Sequence, residues 1–90
     1  MKIEFNPAKA ISNLKKHGVS FDTASSCLLD PLALVMEDPD AVGEARWLLI
    51  GMSDEGLLIV CYALRDEEKI RLISARKATT KEKKYYAQGI

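Results

Sequence analysis

The residues best equipped for chemistry in this sequence are its cations. Arg76, Lys77, Lys81, Lys83 and Lys84 crowd one short stretch, Arg65 and Arg71 lie just before it, and Tyr85 and Tyr86 follow. Guanidinium and ammonium groups meet phosphates and neighbouring rings stack on splayed bases, so the pattern suits single-stranded RNA. A Lys-rich terminal helix also serves solubility, and one of two adjacent tyrosines ordinarily packs on a core. His17, the only histidine, closes the basic run Lys15-Lys16-His17 before Gly18. A histidine titrating near neutrality can move protons; at a helix end it can equally bond the last carbonyls. Glu44 and Arg46, two apart in GEARW, would share one face of a strand. They read as a base beside a phosphate clamp, or as a surface ion pair.

Other chemistries lack their residues. There is no Gly-rich phosphate loop, no HExxH and no Ser-His-Asp pattern, so ATP hydrolysis, zinc peptidase and acyl-transfer chemistry are not supported. Cys27 and Cys61 stand in apolar settings without a Cys-x-x-Cys and read as reduced core thiols. No metal site and no cofactor is expected.

These groups must be positioned by 90 residues, which make one domain, 48% apolar and therefore able to bury a core. No apolar run is long enough to span a bilayer, and the N-terminus lacks a secretory apolar stretch, so a cytoplasmic protein that does not engage membranes is expected. Thirteen basic and thirteen acidic residues give a net charge of zero, but the charge is segregated. Residues 1–17 carry +3, 18–44 carry −6, 45–64 carry −1 and 65–90 carry +4. A neutral total therefore does not exclude RNA; it implies a local contact through a few Arg and Lys, with a shallow dependence of binding on salt.

The elements follow from local signals. A short extended piece, Ile3–Phe5, precedes Asn6-Pro7, an N-cap followed by a first-turn proline, and Gly18 ends that helix. Its Ala10, Ile11 and Leu14 share a face. Ser20 caps a second helix with the buried stripe Phe21, Ala24, Cys27 and Leu28, stopped by Asp30-Pro31. Strands are expected at Leu32–Met36, Arg46–Met52, Leu57–Leu64 and Lys69–Lys77, joined by turns at EDPDAVGE, SDEG and RDEE. Thr79 or Thr80 caps a last helix that Gly89 ends. Loops this short permit only hairpins, so the expectation is an α+β domain: an antiparallel meander of about four strands plus a short N-terminal strand, with two N-terminal helices and one C-terminal helix on one face of the sheet.

Read together, NPAKAISNLKKHGVSFDTA, DPLALVMEDPD, GEARW and IRLISARKATTKEKKYY resemble, in this order, the BrnT family of bacterial type II toxins over about residues 4–87. Residues 16–21 (KHGVSF) and 73–79 (ISARKAT), followed by Glu82 and Tyr86, are the most specific pieces. The resemblance implies a RelE-like fold and a metal-independent endoribonuclease that cleaves RNA and arrests translation. It also implies a BrnA-like ribbon-helix-helix antitoxin, a 2:2 heterotetramer, and operator DNA bound only through the antitoxin. Carried onto this chain, it implies catalytic roles for His17, Glu44, Arg46, Arg76 and Tyr86. Arg76 and Arg46 would hold the scissile phosphate, His17 or Glu44 would move the proton, and Tyr86 would stack or donate. Lys16, Arg65, Arg71, Lys77, Lys81 and Tyr85 complete the RNA-binding set. Many members carry Arg where Met52 stands. The competing readings are a non-catalytic RNA- or partner-binding module, and an inactive toxin acting mainly in operator repression with its antitoxin.

Overall fold

The structure is a computed structural model that describes residues 2–66 and 68–89. Its elements run β1 (Lys2–Glu4), α1 (Pro7–His17), α2 (Phe21–Cys27), β2 (Leu34–Glu37), β3 (Trp47–Ser53), β4 (Gly56–Arg65), β5 (Lys69–Lys77) and α3 (Thr80–Gln88). The five strands form one sheet in the order β1-β5-β4-β3-β2. β2 to β5 make the expected antiparallel meander, and β1 joins β5 in parallel, Ile3 opposite Ile70. Part of the expected RDEE turn, Glu67, lies outside the described residues.

The helix ends follow the sequence signals. Asn6 accepts the Ala8 N–H, and Gly18 closes α1 at φ 70°, a left-handed conformation that costs glycine nothing. Thr79 caps α3 in a full capping box with Glu82. α2 shows the predicted stripe, with Phe21, Ala24 and Cys27 buried.

Side-chain alternation divides the sheet into two unlike faces. One carries Leu49, Leu58, Val60, Tyr62, Leu72 and Ala75, sealed by α2, by Val19 and by the inner side of α1. α2 lies so close to β3 that a Cβ on Gly51 would come within 2.8 Å of the Cys27 carbonyl oxygen, which explains a glycine inside a strand. The other face carries Leu48, Ile50, Leu57 and Ile59, against which Ala78 and Tyr86 pack. The expectation of all helices on one face is thus corrected: α3 returns across the opposite face. The short Ala78-Thr79 link after β5 delivers it there, with the Ala78 N–H bonded to the Leu57 carbonyl.

α1 departs from its apolar pattern. Ile11 and Leu14 are more than half exposed, while the buried side chain is Asn13. β1 pairs with β5 only as far as Arg71, so the edge beyond it has unpaired backbone groups. The Asn13 amide fills that gap, donating to the Ala75 and Val19 carbonyls at 2.9 Å and accepting the Ala75 N–H at 3.1 Å. Satisfying this buried edge outweighs burying two aliphatic chains in orienting the helix.

Candidate functional site

By strand alternation the face that α3 only partly covers gathers the four arginines, Arg65 standing two residues beyond Ala63 at the end of β4. Arg46, one residue beyond the N-terminal end of β3, and Arg71 of β5 flank Ala63 of β4 on this face, and Arg76 stands opposite Ile59 of β4. Between them, Cys61 pairs with Ser74.

Arg76 is held by two parallel bonds, Nη1 to Glu82 Oε1 at 2.8 Å and Nη2 to Glu82 Oε2 at 2.9 Å, and its Nη1 also reaches the Lys77 carbonyl at 3.3 Å. Glu82 accepts the Thr79 N–H as well. The Arg76 hydrogen bond, foremost, holds the Glu82 carboxyl well down, at about 2. A guanidinium has five N–H donors in a fixed plane. Glu82 takes its end; the Nε–H and one Nη2–H on its side edge have no partner among the described residues, and such an edge matches two phosphate oxygens.

A second tie fixes the far end of α3. The Tyr86 hydroxyl donates to Asp30 Oδ2 at 2.6 Å, and the same oxygen accepts the Met52 N–H at 2.8 Å. Asp30 Oδ1 accepts the Leu32 N–H. The Tyr86 bond is the chief cause that pulls the Asp30 carboxyl down, and bonding to Asp30 raises the Tyr86 hydroxyl. Tyr86 therefore remains a proton donor at neutral pH. In the sequence Asp30 stands as a helix stop; its place before Pro31 signals a turn, but not a partner 56 residues away.

Arg46 is the arginine without a carboxylate partner among the described residues, since Arg65 pairs with Glu44, Arg71 with Glu4 and Arg76 with Glu82. Its Nε is buried and has no acceptor among the described residues. A buried, unmatched guanidinium donor is costly unless something supplies an acceptor. Arg46 and Asp38 both act on Cys61, whose thiol is raised mainly by burial. Burial foremost, then the Asp30 carboxylate, pushes the Cys27 thiol up to about 11. Neither thiol is an activated nucleophile.

The expected site assembles only in part. Glu44 precedes β3 and lies outside any strand; it pairs with Arg65 at 3.2 Å, so the expected Glu44–Arg46 pair is replaced. His17 ends α1, the helix laid along the β5 edge and against the opposite core. No hydrogen bond or ion pair joins it to Arg46, Arg76 or Glu44 among the described residues. Arg46 and Arg76 lie four residues apart along the sheet and two strands across, about 16 Å between Cα positions at ~3.3 Å per residue and ~4.8 Å per strand. Arg71 is bonded to Glu4 at 3.4 Å, Lys16 and Lys77 are exposed, and Lys81 and Tyr85 border a groove of about 640 Å³ between α3 and the sheet. No group of three or more His, Cys, Asp or Glu among the described residues could hold a metal. No helix among them is long and apolar enough to cross a membrane.

Comparison with known proteins gives this arrangement its family. The family model for the ribonuclease toxin BrnT of type II toxin–antitoxin systems matches residues 5–82. The fold matches the crystal structure of the Brucella abortus ribonuclease toxin BrnT with a TM-score of 0.68 at 24% identity, covering 89% of this chain and 99% of that one. Among curated protein sequences there is no match. The chain belongs to the BrnT family of ribonuclease toxins of type II toxin–antitoxin systems.

Proposed function

We propose that this protein is a metal-independent endoribonuclease that cleaves RNA on the open sheet face and so inhibits translation in the cytoplasm. A BrnA-like ribbon-helix-helix antitoxin would neutralise it in a 2:2 heterotetramer that meets operator DNA through the antitoxin. The observation that carries the reading is Arg76: Glu82 fixes its guanidinium end-on, and two parallel donors remain on its side edge. In the proposed reaction the RNA 2′-OH attacks the adjacent phosphorus and gives up its proton. The 5′-oxygen leaves and takes a proton, so the products are a 2′,3′-cyclic phosphate and a 5′-OH. Negative charge grows on the phosphate oxygens, where a fixed guanidinium acts most strongly. Arg46 would grip the strand at a second point and draw an acceptor to its buried Nε. His17 and Glu44 remain the candidates for the proton, and Tyr86 the candidate donor.

One observation favours the non-catalytic binder: neither expected base is bonded to Arg46 or Arg76, because Glu44 is taken by Arg65 and His17 stands at the end of α1, while Glu82 and Glu4 are held in ion pairs with Arg76 and Arg71. Incubating the purified protein, free of antitoxin, with total RNA separates the two. Cleavage leaving cyclic phosphate ends, reduced in Arg76→Ala and in His17→Ala or Glu44→Ala, supports the enzyme. Intact RNA at high protein concentration, with binding lost in Arg76→Ala and Arg46→Ala, establishes the binder instead.

A further inference from the structure

Of the groove between α3 and the sheet, only the rim residues Lys81, Glu82 and Tyr85 enter the site as described so far; its floor does not. Its floor is aliphatic: Met36 of β2, Leu48 and Ile50 of β3, and Ile59 of β4. Its opposite wall is α3, and the wall residues Lys81, Lys84, Tyr85 and Gln88 follow i, i+3, i+4, i+7, one stripe of a helix. Glu82 and Tyr86 form the neighbouring stripe and tie the helix down to Arg76 and Asp30. α3 buries no residue of its own. It thus presents two ammonium groups, a phenol ring and an amide to an aliphatic surface, which is a poor protein–protein seam within one chain.

The groove adjoins the proposed phosphate anchor. Ile59 in its floor is the cross-strand partner of Arg76, and Glu82 in its wall is the residue that holds Arg76. Its volume, about 640 Å³, falls in the range of small-molecule sites, about 300–1,000 Å³.

We propose that this groove is a nucleobase subsite: with a phosphate on Arg76, the neighbouring base enters between Tyr85 and the aliphatic floor. The choice of ligand rests on the RNA-cleaving reading above. The base faces meet a ring and aliphatic carbon, which stack and pack on any base. Lys81 and Lys84 meet the adjoining phosphates, and the Gln88 amide faces the base edge as donor or acceptor. An amphipathic acidic peptide would match the lysines, but its apolar side would have to pack on a wall that is half ammonium. RNA sets charge beside flat apolar surface, and this wall sets two lysines beside the Tyr85 ring.

The test uses short 2′-O-methyl RNA oligomers, which cannot be cleaved, in an intact form and in forms with a single abasic position moved along the strand. Binding is read by fluorescence anisotropy. For the wild-type protein, one or two abasic positions weaken binding by about tenfold, the usual size of one stacked base. Tyr85→Ala and Met36→Trp, the second filling the groove from exposed β2, bind the intact and abasic forms alike. Melting curves confirm that each variant is folded, and Lys84→Glu supplies a third, surface substitution. Position dependence that persists in the variants, or is absent from the wild type, overturns the subsite. Loss of binding to an acidic amphipathic peptide, with oligomer binding unchanged, also overturns it and assigns the groove to a protein. If wild-type protein leaves cleavable RNA intact yet the base dependence vanishes in the variants, the subsite stands and the enzyme reading falls. If cleavage depends on Arg76 but no base dependence exists, the enzyme stands and the subsite falls.

Discussion

The two faces of this one sheet are built by different rules. Under α1 and α2, Leu58 and Val60 are fully buried and Leu72 nearly so, and the helix α2 is pressed against Gly51. Under α3, apolar contact is limited to a small cluster, and the helix is held mainly by Arg76–Glu82 and Tyr86–Asp30. The first face is closed over by helices and given to burial, the dominant stabilising term. The second keeps guanidinium groups and an open groove at the surface of the sheet. Burial and exposed cations are thus separated by strand alternation: residue i of a strand serves the core and residue i+1 the proposed site.

The sharpest way to break this division is at Leu58 and its neighbour in function, Arg76. Leu58→Ala empties a fully buried position and should cost about 2–5 kcal/mol in urea unfolding. RNA cleavage per folded molecule should remain as in the wild type. A Leu58→Ala protein of normal stability, or one stable but inactive, would dissolve the contrast. Arg76→Ala should do the reverse, lowering cleavage by about 10²–10³-fold, the scale of losing one fixed donor at a developing charge. Its stability should fall by only about 1 kcal/mol or less, because the ion pair is partly solvated. A large loss of stability without loss of cleavage would make Arg76 a structural latch.

The covered face was more legible in the sequence than the open one. Phe21, Ala24 and Cys27 announce their burial by spacing, and Leu57–Leu64 announces a central strand by an unbroken apolar run. Caps at Asn6, Ser20 and Thr79 set the helix starts because their partners lie within three residues. Three features were not legible because their partners are distant. Nothing local in Lys2–Glu4 specifies parallel pairing with β5. The spacing of Ile11 and Leu14 gives no hint that Asn13 takes the inner side of α1. Glu44 is two residues from Arg46, yet it meets Arg65, which the β3–β4 hairpin brings back beside it. Motifs nominate the residues of the candidate site; which of them touch depends on register, and register is a property of the whole sheet.

Asn13 offers a smaller test, at the border between the two faces. Its amide completes the open edge of β5 beside Arg76. Asn13→Ala leaves the buried N–H and C=O of Ala75 without partners and should cost about 1–3 kcal/mol. Cleavage by the folded fraction should change little, because Arg76 keeps its hold on Glu82. If cleavage instead falls as far as in Arg76→Ala, the edge is part of the site and the division of labour between faces is less clean.

The smallest effect is a pH dependence confined to the α3 face. Arg76 and the Thr79 backbone hold the Glu82 carboxyl at about 2, below its ordinary 4.5. A carboxyl lowered by folding stabilises the folded state only while ionised there, so its contribution is complete above about pH 4.5. As pH falls toward 2, the unfolded chain binds a proton that the folded one still refuses, and the contribution is lost. Glu82→Gln keeps the shape and removes the charge. The wild type should therefore be the more stable at pH 6, by about 1 kcal/mol or less for a partly exposed pair. The two proteins should converge by pH 2, measured as urea midpoints across the acid range. Asp30, also lowered, stays in both proteins, so its share of the acid loss cancels in the difference. A gap that persists at pH 2 would mean that Glu82 holds α3 by shape and hydrogen bonding rather than by its charge.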